Sequence, residues 1–93
     1  MFKVNKYFDG GVISLAYQHE EGPATIGVMD VGEYEFSTAQ QEHMKVISGA
    51  MEVRLPGQSS FIEIGSEGTF SVEANQTFQV KIRKQTAYLC LYK

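Results

Sequence analysis

A chain of 93 residues with 43% hydrophobic and 20% charged residues has material for one modest core and is neither disordered nor fibrous. A formal net charge of −3 and a pI near 5.3 offer no basic footprint for nucleic acid or an anionic membrane. The apolar runs are far shorter than a membrane span, and the first residues carry no secretory pattern. The single cysteine, Cys90, has no internal partner. These features predict one domain over residues 1–93 in a reducing, cytoplasmic setting.

The leader, residues 1–11, holds Tyr7 and Phe8 and closes on Asp9-Gly10-Gly11, a turn signal; it is expected to lie over the core. Strands are expected over 12–18 and 24–31, separated by the His19–Pro23 loop, and then over 33–38 after a tight turn at Val31-Gly32. In that third strand Tyr34 and Phe36 alternate with Glu33, Glu35 and Ser37, the period of a half-buried strand. A polar loop follows at 39–42, with a possible helical turn around 40–43. Met44 and Val46 then alternate with His43 and Lys45 in a strand over 43–49 that ends at Gly49. Further strands are expected over 50–55, 61–64, 69–72, 77–83 and 86–92. The last is apolar on both faces, Tyr88 and Cys90 on one and Leu89 and Leu91 on the other. Short strands punctuated by glycine, with no long helical period, predict an all-β, antiparallel barrel or sandwich. A strand apolar on both faces needs cover on each, one side from a second sheet and the other from a partner subunit, which predicts a homodimer.

Chemistry is sparse. His19 lies in an acidic loop and His43 on the polar side of a strand, neither at metal-ligand spacing to another histidine or cysteine. Cys90 alternates with core positions and reads as a small buried hydrophobe. Glu33 and Glu35 share one face of a strand and could mimic a catalytic pair. A solvated outer face accounts for them more simply, because the aromatics take the other side. Arg54 and Arg83 also point outward by alternation. No nucleophile elbow, phosphate loop or dinucleotide fingerprint is present. The 11 Tyr and Phe residues fill a small core or line a pocket that stacks on a flat ligand.

The spacing from Glu42 to Gly49, six residues between them, resembles the end of the first cupin motif. Placing Glu42 on that motif's glutamate puts Phe36 and Thr38 where its two histidines stand, and the remaining ligand falls near Phe78. The likeness implies a cupin-like barrel with three of four metal ligands replaced. A closer resemblance joins four blocks: Asn5-x-Tyr7-Phe8-x-Gly10, the run Gly27–Ala39, Glu42-x-Met44-x-Val46-Ile47-Ser48-Gly49, and Tyr88-Leu89-Cys90-x-Tyr92. These look like the pyrimidine/purine nucleoside phosphorylase family, small single-domain cupins once catalogued as a domain of unknown function. The match runs from Asn5 to Tyr92 and is weakest over 58–83, where Glu73-Ala74 replaces an expected proline-glycine pair.

The resemblance implies broad-specificity phosphorolysis of nucleosides to free base and ribose 1-phosphate. Inorganic phosphate is the co-substrate, and neither metal nor organic cofactor is needed. On the cupin register Tyr34, Phe36, Thr38, Glu42, Met44 and Phe78 face the interior. Glu42 and Thr38 are then the catalytic candidates, and Tyr34, Phe36, Phe78 and Ser37 the substrate-binding ones. Glu42 either accepts from Thr38 or Tyr34 as an anchor, binds ribose hydroxyls, or steadies positive charge on the sugar. Phe36, Met44 and Phe78 also read as filling of a metal-free barrel. No lysine or arginine is expected to point inward. Two alternatives stand beside the enzyme: a non-catalytic cupin binding a small sugar or nucleoside as a sensor or accessory protein, and a structural dimer with a filled barrel.

Overall fold

A computed structural model describes every residue from Met1 to Lys93. The strands are β1 (Lys3–Tyr7), β2 (Val12–His19), β3 (Gly22–Met29), β4 (Gly32–Ser37) and β5 (Glu42–Ser48), then β6 (Ala50–Arg54), β7 (Ile62–Gly65), β8 (Thr69–Val72), β9 (Thr77–Ile82) and β10 (Thr86–Tyr92). They form a six-stranded sheet in the order β1-β2-β3-β10-β5-β8 and a four-stranded sheet in the order β4-β9-β6-β7. Every pairing is antiparallel. The fold is the expected all-β, cupin-like sandwich.

Period-two alternation places the core. Val12, Met29, Met44, Val46, Tyr88 and Cys90 from the larger sheet meet Tyr34, Met51, Val53, Phe78, Val80 and Ile82 from the smaller, all buried. From β3 onward the chain passes between sheets at almost every turn. The passage from β5 to β6 explains the Glu42–Gly49 spacing. Seven residues of β5 cross about 23 Å of barrel, and Gly49 turns the chain into the other sheet with φ +93. A Cβ there would lie 2.4 Å from Thr86 Oγ1, so only glycine fits.

Three expectations are corrected. The leader, expected as cover with no strand of its own, contains one: residues 3–7 form β1, paired with β2 in register from Lys3↔Ala16 to Tyr7↔Val12. It is an edge strand with four of five residues exposed, so it carries no apolar alternation to read. The His19–Pro23 loop is only a two-residue turn, since His19 pairs with Gly22. The sole helical turn lies at Phe8–Gly10, while His43 sits inside β5 and residues 40–43 make no helix.

Candidate active site

A cavity of about 300 Å³ opens between the sheets. Its inner wall comes from the large sheet: Ser14 of β2, Met29 of β3, Glu42 and Met44 of β5, and Tyr88, Cys90 and Tyr92 of β10. Its outer wall is Glu35, Phe36 and Ser37 of edge strand β4, with Tyr7 and Phe8 from the end of β1. Strand register assembles the inner wall, because Tyr92 pairs with Glu42 and Cys90 with Met44. Gly27 makes room on the same sheet, since a Cβ there would stand 2.9 Å from Tyr88 Oη and 2.6 Å from the Ile13 carbonyl oxygen.

Glu42 is the half-buried acid of this wall. Burial raises its carboxyl above the ordinary range, opposed by a hydrogen bond from the Cys90 thiol, whose Sγ donates to Oε1 at 3.6 Å. Burial first and the Glu42 charge second push that thiol up to about 12, so Cys90 is a protonated donor at neutral pH and no nucleophile. Burial likewise pushes Tyr88 up to about 12, with the Ser14 hydroxyl opposing the shift. It raises Tyr92 too, whose hydroxyl shares a 3.1 Å hydrogen bond with Thr25 Oγ1. Two carboxyls, Glu42 within and Glu35 at the mouth, a thiol and several un-ionised hydroxyls therefore line an aromatic chamber. No lysine or arginine is among the lining residues.

The other expected site residues divide. Phe36 and Ser37 line the cavity with Glu42. Ser37 is exposed at the mouth, where its hydroxyl shares a 3.3 Å hydrogen bond with Thr77. Phe78 is buried and off the cavity, stacked behind Phe36 at 5.6 Å between ring centroids. Thr38 is also away from it. Its hydroxyl donates to the Glu73 carbonyl at 2.6 Å and accepts from the Gln76 amide at 3.0 Å, tying the β4–β5 loop to the β8–β9 loop. Tyr34 is buried, but its hydroxyl donates to the Asp30 carbonyl at 2.7 Å. Neither reaches Glu42, which removes the expected anchoring role for that carboxylate.

Sequence reasoning missed Ser14, Tyr88 and Tyr92 as hydroxyl donors, and Phe8 and Glu35 at the mouth. The alternation of Tyr88, Cys90 and Tyr92 on one face was the available signal for β10. Glu35 was expected on a solvated face. It is indeed exposed, held by the Gln79 amide at 3.2 Å, and meets the cavity only because β4 is an edge strand.

The donor set does not fit a cupin metal. Phe36 and Phe78 supply no ligand atom and the Thr38 hydroxyl is already committed. No three His, Cys, Asp or Glu side chains gather elsewhere.

The family model described as pyrimidine/purine nucleoside phosphorylase matches residues 2–92. The chain belongs to this family. A pyrimidine/purine nucleoside phosphorylase of Pseudomonas paraeruginosa is 56% identical over 93 residues, covering 100% of both chains. One of Alcanivorax borkumensis is 55% identical, covering 99% of this chain and 98% of that one. Among solved structures, a protein of unknown function from Vibrio parahaemolyticus superposes with a TM-score of 0.93 at 39% identity, covering 97% of this chain and 96% of that one. An RmlC-like cupin from Shewanella frigidimarina, at 16% identity and a TM-score of 0.73 over 96% of this chain and 80% of that one, shares the fold.

Proposed function

We propose that this protein cleaves both purine and pyrimidine nucleosides by phosphorolysis without a metal. A phosphate oxygen forms a bond to the anomeric carbon as the bond to the base breaks. The electron pair of that bond leaves with the base, which takes up a proton, and the sugar leaves as ribose 1-phosphate. The observation that carries this reading is Glu42, a half-buried carboxyl in an aromatic cavity whose side-chain hydrogen-bond partner is a thiol 3.6 Å away. A sugar losing its base gains positive charge. A carboxylate fixed in a partly dry site steadies that charge far better than water does. The Ser14, Ser37, Tyr88 and Tyr92 hydroxyls are the groups available to phosphate and ribose, and the cavity holds the two reactants together. Phe36 supplies an apolar wall for the base. Thr38, Tyr34 and Phe78 act indirectly, by holding the loops and rings around the cavity.

The protein is further read as a cytoplasmic homodimer. A buried free thiol fits a reducing compartment, and the outer face of the large sheet supplies the dimer surface. Two carboxylates and no cation in the lining favour, as a second reading, a cupin that binds nucleoside without cleaving it. Incubation with uridine, adenosine and inosine, with and without phosphate and with chelator, separates the two. Phosphorolysis gives free base and ribose 1-phosphate in equal amounts, only with phosphate and undiminished by chelator. Nucleoside binding with no base released leaves only the second reading.

A further inference from the structure

Phe8, expected only as part of a leader lying over the core, stands at the mouth of the cavity. It lines the cavity, its ring 4.9 Å from that of Tyr34 at a tilt of 53° and 5.6 Å from that of Phe36 at 86°. Even so, 47% of it stays open. Its backbone is in the left-handed region, φ +54, followed by Asp9 at +55 and Gly10 at +90. That conformation is rare for a bulky side chain and persists only where the surroundings impose it. Here they do. The Gly11 amide donates to the Phe8 carbonyl at 3.0 Å and the Asp30 amide to the Gly11 carbonyl at 2.7 Å. The Tyr34 hydroxyl holds the Asp30 carbonyl from below at 2.7 Å.

A turn needed only to connect β1 to β2 is met by glycine or asparagine at such angles, without a phenyl ring at the cavity mouth. We propose that Phe8 is the face on which the nucleobase stacks, and that it sets the preference between purine and pyrimidine nucleosides. This rests on the nucleoside reading above. Phe36 has one face occupied by Phe78, stacked at 29°, which leaves Phe8 the more open ring. The two ring planes form a corner in which a flat heterocycle lies against one ring and meets the other at its edge, both favourable for aromatic pairs. A two-ring purine covers the whole phenyl face and a pyrimidine only part of it, so the contact favours purines. Tyr34 is then a positioning residue, fixing the turn that presents the ring.

The test uses two variants of the full-length protein. Phe8→Leu keeps the apolar cover over Tyr34 and Phe36 and removes the π face. It is expected to raise KM for adenosine and inosine about tenfold, and for uridine about threefold, the scale of one lost base–aromatic stack. Its melting temperature should stay near the parent's. The chain has no tryptophan, so Phe8→Trp installs a single indole at the site. Its emission should be quenched saturably by adenosine or inosine without phosphate, when no turnover occurs. Parental KM values for all three nucleosides in Phe8→Leu would overturn the proposal, as would unquenched emission in Phe8→Trp. If Phe8→Leu does not fold, the indole signal decides. Quenching in a protein that releases no base overturns the phosphorylase reading and leaves the stack standing. Turnover that is indifferent to Phe8 overturns only the stack.

Discussion

A carboxyl half withdrawn from water, with only a thiol for a partner, is held against its charged form. This is the position of Glu42, whose pKa is raised by burial, and it fixes the sign of two expectations. Because the folded pKa lies above the unfolded one, the folded state binds the proton more tightly between the two. Stability contributed by protonation is present below the ordinary carboxylate value of about 4.3 and is lost as pH rises through the folded pKa. Glu42→Gln, which cannot ionise, should therefore be as stable as the parent or more stable in urea melts at neutral pH, and that advantage should vanish in acid. Its turnover of uridine should fall on the order of tenfold to a thousandfold. The acid limb of kcat/KM in the parent should lie above the ordinary carboxylate range and be missing in the variant. Parental turnover in Glu42→Gln would remove this residue from the site.

At the scale of elements, the cavity depends on two loops lashed together. Thr38 is bound at its amide by the Gln76 carbonyl at 2.9 Å and at its carbonyl by the Asn75 amide at 2.9 Å. Its hydroxyl bonds both Glu73 and Gln76. Thr38→Val keeps the shape and leaves the Gln76 amide short of an acceptor, which costs about 1–3 kcal/mol. Denaturant unfolding should show that loss, while turnover at a temperature where the variant is folded should stay near the parent's. A fall in kcat at parental stability would return Thr38 to the catalytic list. This division also marks what the sequence could convey. Alternation at Tyr34, Phe36, Met44, Phe78 and Cys90 made the inward faces legible, and with them the sandwich. It could not separate cavity wall from filling, because Phe36 and Phe78 share a face and differ only in depth. Strand β1 escaped because a mostly exposed edge strand such as Lys3–Tyr7 needs no apolar period. The hydroxyls of Ser14, Tyr88 and Tyr92 share one cavity with Glu42 through a register set by pairing strands far apart in the chain, which no local window contains.

For the whole molecule, the large sheet leaves its outer face uncovered. Register sets Leu15, Ile26 and Leu89 in one row, and Ile13, Val28 and Ala87 in the next. Val4 extends the first row from β1. Val28 is 53% exposed, Val4 55% and Ile26 39%, so these side chains stand in water in a lone chain. Leu89 and Leu91, expected from the sequence to need cover, are only partly exposed and belong to this larger patch, opposite Ile26 and Ala24. Five strands at about 4.8 Å spacing, averaging about 23 Å in length, give a face on the order of 500 Å² in plan. That is comparable to the largest patches single chains leave open, about 300–600 Å². With side-chain relief its accessible area approaches the roughly 800 Å² per partner of a stable interface. The face is apolar across β2, β3 and β10, with Lys6 beside Ile13 and Lys45 beside Leu89 toward its two sides, and a two-fold axis lets its apolar middle cover itself. The parent should therefore sediment as a dimer at micromolar concentration. Val28→Lys would place an ammonium group on each of the two facing sheets without touching either core, and should sediment as a folded monomer with the parental circular dichroism spectrum. A parent that sediments as a monomer, with Val28 open to solvent, would overturn the dimer.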